Sequence, residues 1–246
     1  MSHLRAVVFD VDGTLAETER DGHRVAFNDA FTHHGLPYHW DVDTYADLLA
    51  VAGGRQRLRG FLAAQGHSDD LEALTTAVHA TKTELFVRWV RDGPVLARPG
   101  VAELMGGLAD AGVAVAVATT GSRAWVEPLL ARLFPRTQFA AVVTNDDVTA
   151  LKPDPQAYDL ALRGVGVTPD EAVAVEDSPP GLAAACAAGL ATLVVTAWYT
   201  AGLAFPGAAA VVDGYVGPCQ VDPPQATYLR DGVSPAALRA LLAAAG

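Results

Sequence analysis

Beyond Gly100, short apolar runs alternate with segments in which apolar residues recur every three or four positions. The first pattern is typical of buried strands and the second of helices. Repeated strand-helix units predict a parallel, doubly wound sheet of the α/β class, a Rossmann-like fold. No element is predicted over 216–231, where glycine and proline are frequent. The predicted strands are 113–118, 139–143, 171–175 and 190–195, and the predicted helices include 101–111, 123–133 and 154–163.

Two more helices are marked by residues that favour helix ends. Ser178 and Pro179 form a typical N-cap and first helical residue, and Gly189 suits the end of that helix. Ser234 precedes a second predicted helix over 235–245 in the same way. Both helices extend the alternating pattern toward the end of the chain.

Residues 18–91 have a helical pattern without a predicted strand. Apolar faces at helical spacing predict a compact helical insert. We therefore expect an α/β core domain formed by 1–17 and 96–246, with a helical cap domain over 18–95. The residues of the apolar faces are Phe27, Ala30, Phe31, Leu58, Phe61, Leu62, Leu71, Leu74, Val78, Leu85 and Trp89.

The first apolar run, at residues 7–9, is followed by two carboxylates and a glycine. Residues two apart on a strand point to the same face, so Asp10 and Asp12 are expected to face one cleft. Ligands of open α/β sheets bind beyond the carboxyl ends of the strands, which places both acids where chemistry is expected. The alternative is that Asp12 and Gly13 only form a turn.

Polar residues also follow three later apolar runs. Thr119 and Thr120 can bind phosphate oxygens, although such residues also cap helices. Lys152 is followed by proline, which predicts a rigidly held charge, with an exposed loop lysine as the alternative. Glu176 and Asp177 add two carboxylates at the same sheet edge. A cluster of carboxylates requires raised pKa values or a cation, and oxygen ligands favour Mg²⁺.

Composition and charge narrow the classes of function. A formal net charge of −11 argues against binding to nucleic acid or to anionic membranes. Cys186 and Cys219 have neither metal-type spacing nor a disulfide pattern, which favours a reducing cytoplasm or a stroma-like compartment. We find no targeting segment and no apolar run near the roughly 20 residues that span a bilayer. We expect a monomer, with a dimer as the alternative.

The ordered motifs at 10–14, Thr119, Lys152 and 176–177 are similar to the four motifs of the haloacid dehalogenase superfamily of phosphohydrolases. The resemblance covers essentially the whole chain. A match of four motifs in order is specific, whereas two aspartates alone are not. The resemblance implies a Mg²⁺-dependent phosphatase.

By this resemblance, Asp10 is the nucleophile that forms an aspartyl phosphate, and Asp12 is the general acid and then the base. Thr119 holds a phosphoryl oxygen, and Lys152 offsets the repulsion between anions. The implied metal ligands are Asp10, the backbone carbonyl of Asp12, Glu176 and Asp177.

The helical insert is similar to the cap domain of the β-phosphoglucomutase-like branch, and in particular to its CbbY-like group. The stretches that carry this similarity are 15–19, 23–28, 53–55, 81–84 and 98–100. Members of that group dephosphorylate xylulose-1,5-bisphosphate. The resemblance therefore implies a small phosphorylated sugar as the partner molecule.

A second phosphate on the substrate requires cations in this acidic chain. Arg55 is expected to bind it bidentately, with Arg57 and Arg59 as alternatives. For each cap residue, a solvated helix face is the other interpretation. The predicted substrate-binding residues are Glu17, His23, Arg24, Arg55, Lys82 and Thr120.

Other functions stay open on the sequence alone. A sugar-phosphate mutase or a phosphoglycolate-type phosphatase shares this chemistry. A metal-free dehalogenase is disfavoured because Asp12 is present. A non-catalytic binding protein with the same fold is the alternative from a different class.

Overall fold

The fold is described from a computed structural model, which covers residues 3–51 and 53–246. In this part of the chain, seven strands form one sheet. The strands are β1 (Ala6–Phe9), β2 (Ala114–Ala118), β3 (Phe139–Val143), β4 (Ala172–Glu176), β5 (Ala191–Val195), β6 (Ala210–Val212) and β7 (Val221–Asp222). Their order is β3-β2-β1-β4-β5-β6-β7, and every pair is parallel except β6 with β7. The predicted α/β, doubly wound architecture is confirmed.

Helices cover both faces of the sheet and fill the insert. They are α1 (Arg24–His33), α2 (Val42–Leu48), α3 (Gly54–Ala64), α4 (Leu71–Asp92), α5 (Val101–Asp110), α6 (Arg123–Leu133), α7 (Gln156–Val165), α8 (Pro179–Ala187) and α9 (Pro235–Ala245). A π-helical turn over Glu19–His23 leads into α1. Among the residues described, no helix has both the length and the apolar character needed to cross a membrane.

The central strand β1 is buried along its whole length and contributes to both faces of the sheet. Val7 and Phe9 belong to a hydrophobic cluster with residues of α5, α6 and α9. Ala6 and Val8 belong to a second cluster with residues of α7 and α8. This alternation follows from the two-residue period of a strand, and apolar residues on both faces are expected in a parallel sheet covered by helices.

The three central strands end at the same level. Phe9 of β1 is paired with Val117 of β2 and with Val175 of β4. The polar residues that follow these strands therefore emerge together at the carboxyl edge of the sheet, as the sequence pattern predicts.

Helices α1 to α3 and the first half of α4 share a separate hydrophobic cluster that includes Phe27, Trp40 and Leu58. Farther along α4, Phe86 and Val90 join the cluster of the sheet instead. Ala16 and Ala97 pair as an antiparallel bridge where the chain leaves the sheet and returns to it. The division into domains at 17/18 and 95/96 stays a prediction, which these separate clusters support.

Several predicted helix ends are confirmed. The hydroxyls of Ser178 and Ser234 accept backbone N–H groups from Gly181 and Ala237, each at 3.2 Å. The helix predicted over 154–163 lies two residues later, because the carboxylate of Asp154 accepts the N–H of Gln156 ahead of α7. Residues 216–231, for which no element was predicted, contain β7 and a 3₁₀ turn at Thr227–Leu229.

Candidate active site

Two adjoining cavities lie between the carboxyl edge of the sheet and the helical insert. The first chamber has a volume of about 490 Å³ and the second chamber a volume of about 500 Å³. They share Asp12, Glu19, Arg57 and Thr120 in their walls. The first chamber is also lined by Asp10, Lys152, Asp177 and Tyr199, and the second chamber by His23, Lys82, Phe86, Trp125 and Asn145.

Lys152 is buried and bridges two carboxylates. Its Nζ atom lies 2.6 Å from Oδ1 of Asp10 and 2.6 Å from Oε1 of Glu176. Burial lowers the pKa of Lys152, but the charges of Asp10 and Glu176 more than offset this effect and hold the pKa above its usual value. Lys152 therefore carries a positive charge directly beside Asp10.

Glu176 is completely buried and its oxygens are occupied within the protein. The hydroxyl of Tyr158 donates to Oε1 at 2.6 Å, and the N–H of Asp177 and the hydroxyl of Ser178 donate to Oε2. Within the described residues, Asp177 lines the first chamber whereas Glu176 does not. Of these two predicted metal ligands, Asp177 is thus the one that faces the cavity.

Three carboxylates form a cluster that fits a divalent metal. Oxygens of Asp10, Glu176 and Asp177 lie within 4.8 Å of one another. Burial raises the pKa of Asp10 from 3.8 to about 8, the Lys152 charge opposes the rise, and neighbouring carboxylates add to it. Burial, and then the charges of Asp10 and Glu176, raise the pKa of Asp177 well above 3.8. A cation beyond Lys152 would keep these groups ionised, and an all-oxygen donor set suits Mg²⁺.

Gly13 makes room for this cluster. Its φ is +76°, in the left-handed region that favours glycine. A Cβ atom at this position would overlap Oδ2 of Asp177 and lie 2.7 Å from the hydroxyl of Tyr199. The turn after Asp12 therefore has a steric requirement as well as a conformational one.

Thr119 and Thr120 follow β2 and differ in their surroundings. Thr119 is buried, and its hydroxyl accepts the N–H of Gly121 at 3.0 Å. Thr120 is partly exposed and lines both chambers. The loop thus brings Thr120 to the cavities, whereas Thr119 is not among the described residues that line them.

A chain of contacts in the second chamber leads from Lys82 through His23 to Asp12. The Nζ atom of Lys82 lies 2.7 Å from Nδ1 of His23, and Nε2 of His23 lies 3.2 Å from Oδ1 of Asp12. An ammonium group can only donate, so Nδ1 accepts and Nε2 carries the proton that points to Asp12. Burial and the Lys82 charge lower the pKa of His23 well below 6.5, and His23 is therefore neutral.

Arg57 is a buried cation between the two chambers. Its guanidinium donates to the carbonyl oxygen of Leu48 at 3.0 Å and to the hydroxyl of Tyr45 at 3.2 Å. That hydroxyl donates in turn to Oε2 of Glu19 at 2.6 Å. These contacts hold Arg57 in the wall that both chambers share.

Two predicted substrate-binding residues lie outside both chambers. The guanidinium of Arg24 donates to the carbonyl oxygens of Arg20 and Trp40. The carboxylate of Glu17 accepts the indole N–H of Trp198 at 2.9 Å. Arg24 and Glu17 are therefore not among the described residues that line the two chambers, and their roles in substrate binding stay predictions.

Arg55 lines the second chamber, but its guanidinium forms an ion pair with Glu72. Its side chain is 48% exposed and pairs with Glu72 at 3.0 Å. Residues two apart on a helix point about 200° apart, since a turn contains about 3.6 residues. Arg55 and Arg57 on α3 therefore face different ways, and Arg57, considered only as an alternative from the sequence, is the one buried in the cleft.

The sequence reasoning assigned no role to Glu19, Tyr158 or Tyr199, which belong to the site or support it. Tyr199 comes four residues after the end of β5, so a search that includes the loop after each strand would have found it. Tyr158 lies on the inward face of α7, where an aromatic residue is ordinary core. No signal in the sequence separates it from such a residue.

Comparison with known proteins identifies the family. The model of the haloacid dehalogenase-like hydrolase family matches residues 4–189. The chain belongs to this family. As a haloacid dehalogenase-like hydrolase, it is an enzyme of the phosphatase type.

Relatives of the chain include proteins of the CbbY group. Protein CbbY of Cereibacter sphaeroides is 41% identical over 215 residues, which cover 86% of this chain and 93% of that protein. The CBBY-like protein of Arabidopsis thaliana is 38% identical over 91% of this chain and 71% of its own. A crystal structure of a CbbY mutant from Rhodobacter sphaeroides in complex with xylulose-(1,5)bisphosphate has a TM-score of 0.78 and 40% identity, covering 86% of this chain and 94% of that one.

Proposed function

We propose that the chain is a Mg²⁺-dependent phosphatase of a small sugar bisphosphate, with xylulose-1,5-bisphosphate as the substrate. The observation that carries the proposal is the pairing of an acidic first chamber with a second chamber that contains Arg57 and Lys82. Buried cations are costly unless they are paired, and both sit in a chain with a formal net charge of −11. An anionic group on the substrate accounts for their position.

The similarity to CbbY supports the same substrate. The related structure contains xylulose-(1,5)bisphosphate, and the chain is 40% identical to that protein over most of its length. The two phosphates of such a molecule suit the two chambers, one beside Asp10 and one beside Arg57 and Lys82. Thr120 is partly exposed in the wall between them and is our candidate for a contact to the sugar.

In the first step, an oxygen of Asp10 bonds to phosphorus while the bond from phosphorus to the sugar oxygen breaks. Asp12 gives its proton to that sugar oxygen. Burial raises the pKa of Asp12 above 3.8, which favours the protonated form needed here. The Lys152 ammonium offsets the repulsion between Asp10 and the phosphate.

In the second step, a water molecule gives a proton to Asp12 and attacks phosphorus. The bond between phosphorus and Asp10 breaks, and inorganic phosphate is released. Neutral His23 donates to Asp12 through Nε2 and orients it in both steps. Thr18, whose hydroxyl also contacts Oδ1 of Asp12, holds the same carboxylate.

Asp10 and Asp177 are the residues that would hold Mg²⁺ by their side chains, with the backbone carbonyl of Asp12 as a third ligand. When bound, Mg²⁺ supplies positive charge that stabilises the phosphoryl oxygens in the transition state. Glu176 is buried and accepts a hydrogen bond from Lys152. It therefore holds the lysine in position beside Asp10.

The proposal is tested by a substrate panel in the presence of Mg²⁺. We expect phosphate to be released fastest from xylulose-1,5-bisphosphate, more slowly from phosphoglycolate, and with no isomer formed from β-glucose 1-phosphate. Faster release from phosphoglycolate, or formation of glucose 6-phosphate, would contradict the proposed substrate. Release that does not depend on any divalent metal would contradict the proposed chemistry.

We also propose that the enzyme works in a reducing compartment such as the cytoplasm. Cys186 and Cys219, the two cysteines of the chain, are free thiols in the structure. Persistent free thiols are usual where glutathione keeps cysteines reduced.

A further inference from the structure

The segment 196–200 follows β5 and reaches the first chamber through Tyr199. The hydroxyl of Tyr199 donates to Oδ2 of Asp177 at 2.5 Å. The distance is typical of a strong hydrogen bond from a hydroxyl to a carboxylate. Asp177 is the carboxylate that faces the chamber and that we assign to Mg²⁺.

We propose that Tyr199 is a positioning residue that holds the carboxylate of Asp177 in the orientation that binds the metal. Hydrogen bonds from neighbouring groups orient ligating carboxylates and are worth a large part of metal affinity. With Oδ2 engaged by the phenol, Oδ1, which the Thr14 hydroxyl approaches at 3.5 Å, is the oxygen available to a metal. This inference rests on the proposed Mg²⁺ site and adds the group that keeps its ligand in place.

Tyr199 can act in this way because its segment is fixed to the protein on both sides. The guanidinium of Arg98 donates to the carbonyl oxygens of Val195 and Thr196, at 3.1 and 2.8 Å. The hydroxyl of Thr200 accepts the N–H of Ala197 at 2.9 Å and closes a short turn. The backbone on either side of Tyr199 is thus held in place by these hydrogen bonds.

Trp198, next to Tyr199, ties the segment to the connection that leads into the insert. Its indole N–H donates to Glu17 at 2.9 Å, and Glu17 follows the Ala16 bridge to Ala97. Arg98 lies in the returning connection and also donates to the carbonyl oxygen of Gly13. Both connections of the insert therefore support the segment that carries Tyr199.

Metal binding by the free chain tests the inference without any turnover. The probe is Mn²⁺, whose unbound fraction is measured by electron paramagnetic resonance as metal is added to metal-free protein. Tyr199→Phe removes only the hydroxyl, and we expect the dissociation constant for Mn²⁺ to rise about tenfold. Tyr38→Phe is the matched control, because the Tyr38 hydroxyl contacts only His67 among the described side chains, at 2.9 Å in the insert.

Asp177→Asn separates failure of the inference from failure of the proposed function. If Asp177→Asn binds Mn²⁺ as the wild type does, the proposed metal site is wrong, and the inference falls with it. If Asp177→Asn loses binding while Tyr199→Phe binds as well as or more tightly than the wild type, only the role of Tyr199 is overturned.

Trp198→Phe provides a second, independent variant. It keeps a ring but loses the donor to Glu17, and we expect weaker Mn²⁺ binding, by about threefold. In the background of Tyr199→Phe, this effect should disappear, because the phenol that Trp198 positions is no longer present. Fully additive effects in this double-mutant cycle would contradict the route through Tyr199.

Discussion

The side chains of Lys82 and His23 meet nitrogen to nitrogen, with Nζ 2.7 Å from Nδ1, at a buried point of the second chamber. The contact fixes the histidine as the tautomer that donates to Asp12. A residue of α4 thus sets the hydrogen bond received by the proposed general acid, although the two are far apart in sequence.

Replacing His23 by alanine should lower kcat by about 100-fold, because Asp12 loses the donor that orients it. His34→Ala is the matched control. His34 contacts Thr81 at 2.9 Å at the end of α1 and is outside both chambers. Steady-state kinetics with xylulose-1,5-bisphosphate measures both variants. An equal loss in both would show that His23 acts only through the stability of the insert.

The charge of Lys82 should make substrate capture depend on pH. Burial lowers the pKa of Lys82 from 10.5 to about 8, so the free enzyme loses this charge as the pH rises through that value. We expect kcat/KM for a bisphosphate to fall above that pH, by about tenfold for each unit. In Lys82→Arg the guanidinium stays protonated, and the fall should be absent. The same fall in Lys82→Arg would assign it to another group.

Arg57 and Arg55 should differ in their effect on KM. Arg57→Met removes a buried cation of the shared wall, and a charged hydrogen bond of this kind is worth about 1.5–3 kcal/mol, or about 10- to 150-fold in KM. Arg55→Met removes an exposed pair with Glu72 and should change KM by less than about threefold. A larger effect from Arg55→Met would restore the prediction made from the sequence.

Gly13 and Gly35 offer a matched pair of substitutions by alanine. Both have positive φ, +76° and +65°, but an added Cβ overlaps Asp177 at Gly13 and meets nothing within 4 Å at Gly35. Both variants should lose about 1–2 kcal/mol from the left-handed backbone. Thermal melting measures that loss. Only Gly13→Ala should also lose phosphatase activity, and full activity in this variant would contradict the described position of Asp177.

Asp10→Asn and removal of metal should each abolish phosphate release. The amide cannot attack phosphorus, and without the metal only Lys152 offsets the repulsion between Asp10 and the phosphate. Circular dichroism should show that the variant keeps its fold. Adding Mg²⁺ after chelation should restore the wild type and leave Asp10→Asn inactive. Any turnover by Asp10→Asn would argue for a different nucleophile.

The sheet and its catalytic edge were predictable because strand periodicity and strand ends are local features. Asp10, Thr119 and Asp177 each follow an apolar run, and parallel strands bring such ends together whatever their separation in the chain. The caps at Ser178 and Ser234 are equally local, since a hydroxyl reaches only the next turn of backbone.

The insert was less predictable because no comparable local rule says which side chains of a helix face the cleft. Which of Arg55 and Arg57 faces the cleft depends on the rotation of α3 about its axis. Leu58 and Leu62 of α3 pack in the hydrophobic cluster of the insert, and this packing sets the rotation. The pairing of Glu17 with Trp198 joins residues 181 positions apart and leaves no trace in either local pattern.

The bridge between Ala16 and Ala97 brings the departing and returning backbones side by side. The helices between these two residues can differ in length and sequence without adding a strand to the sheet or changing its order, provided that Thr18 and His23 keep their contacts with Asp12. Evolution can therefore change the helical insert above the cleft, while the carboxyl edge of the sheet, which carries Asp10, stays the same. A lineage with this backbone can acquire new substrates without having to invent its chemistry again.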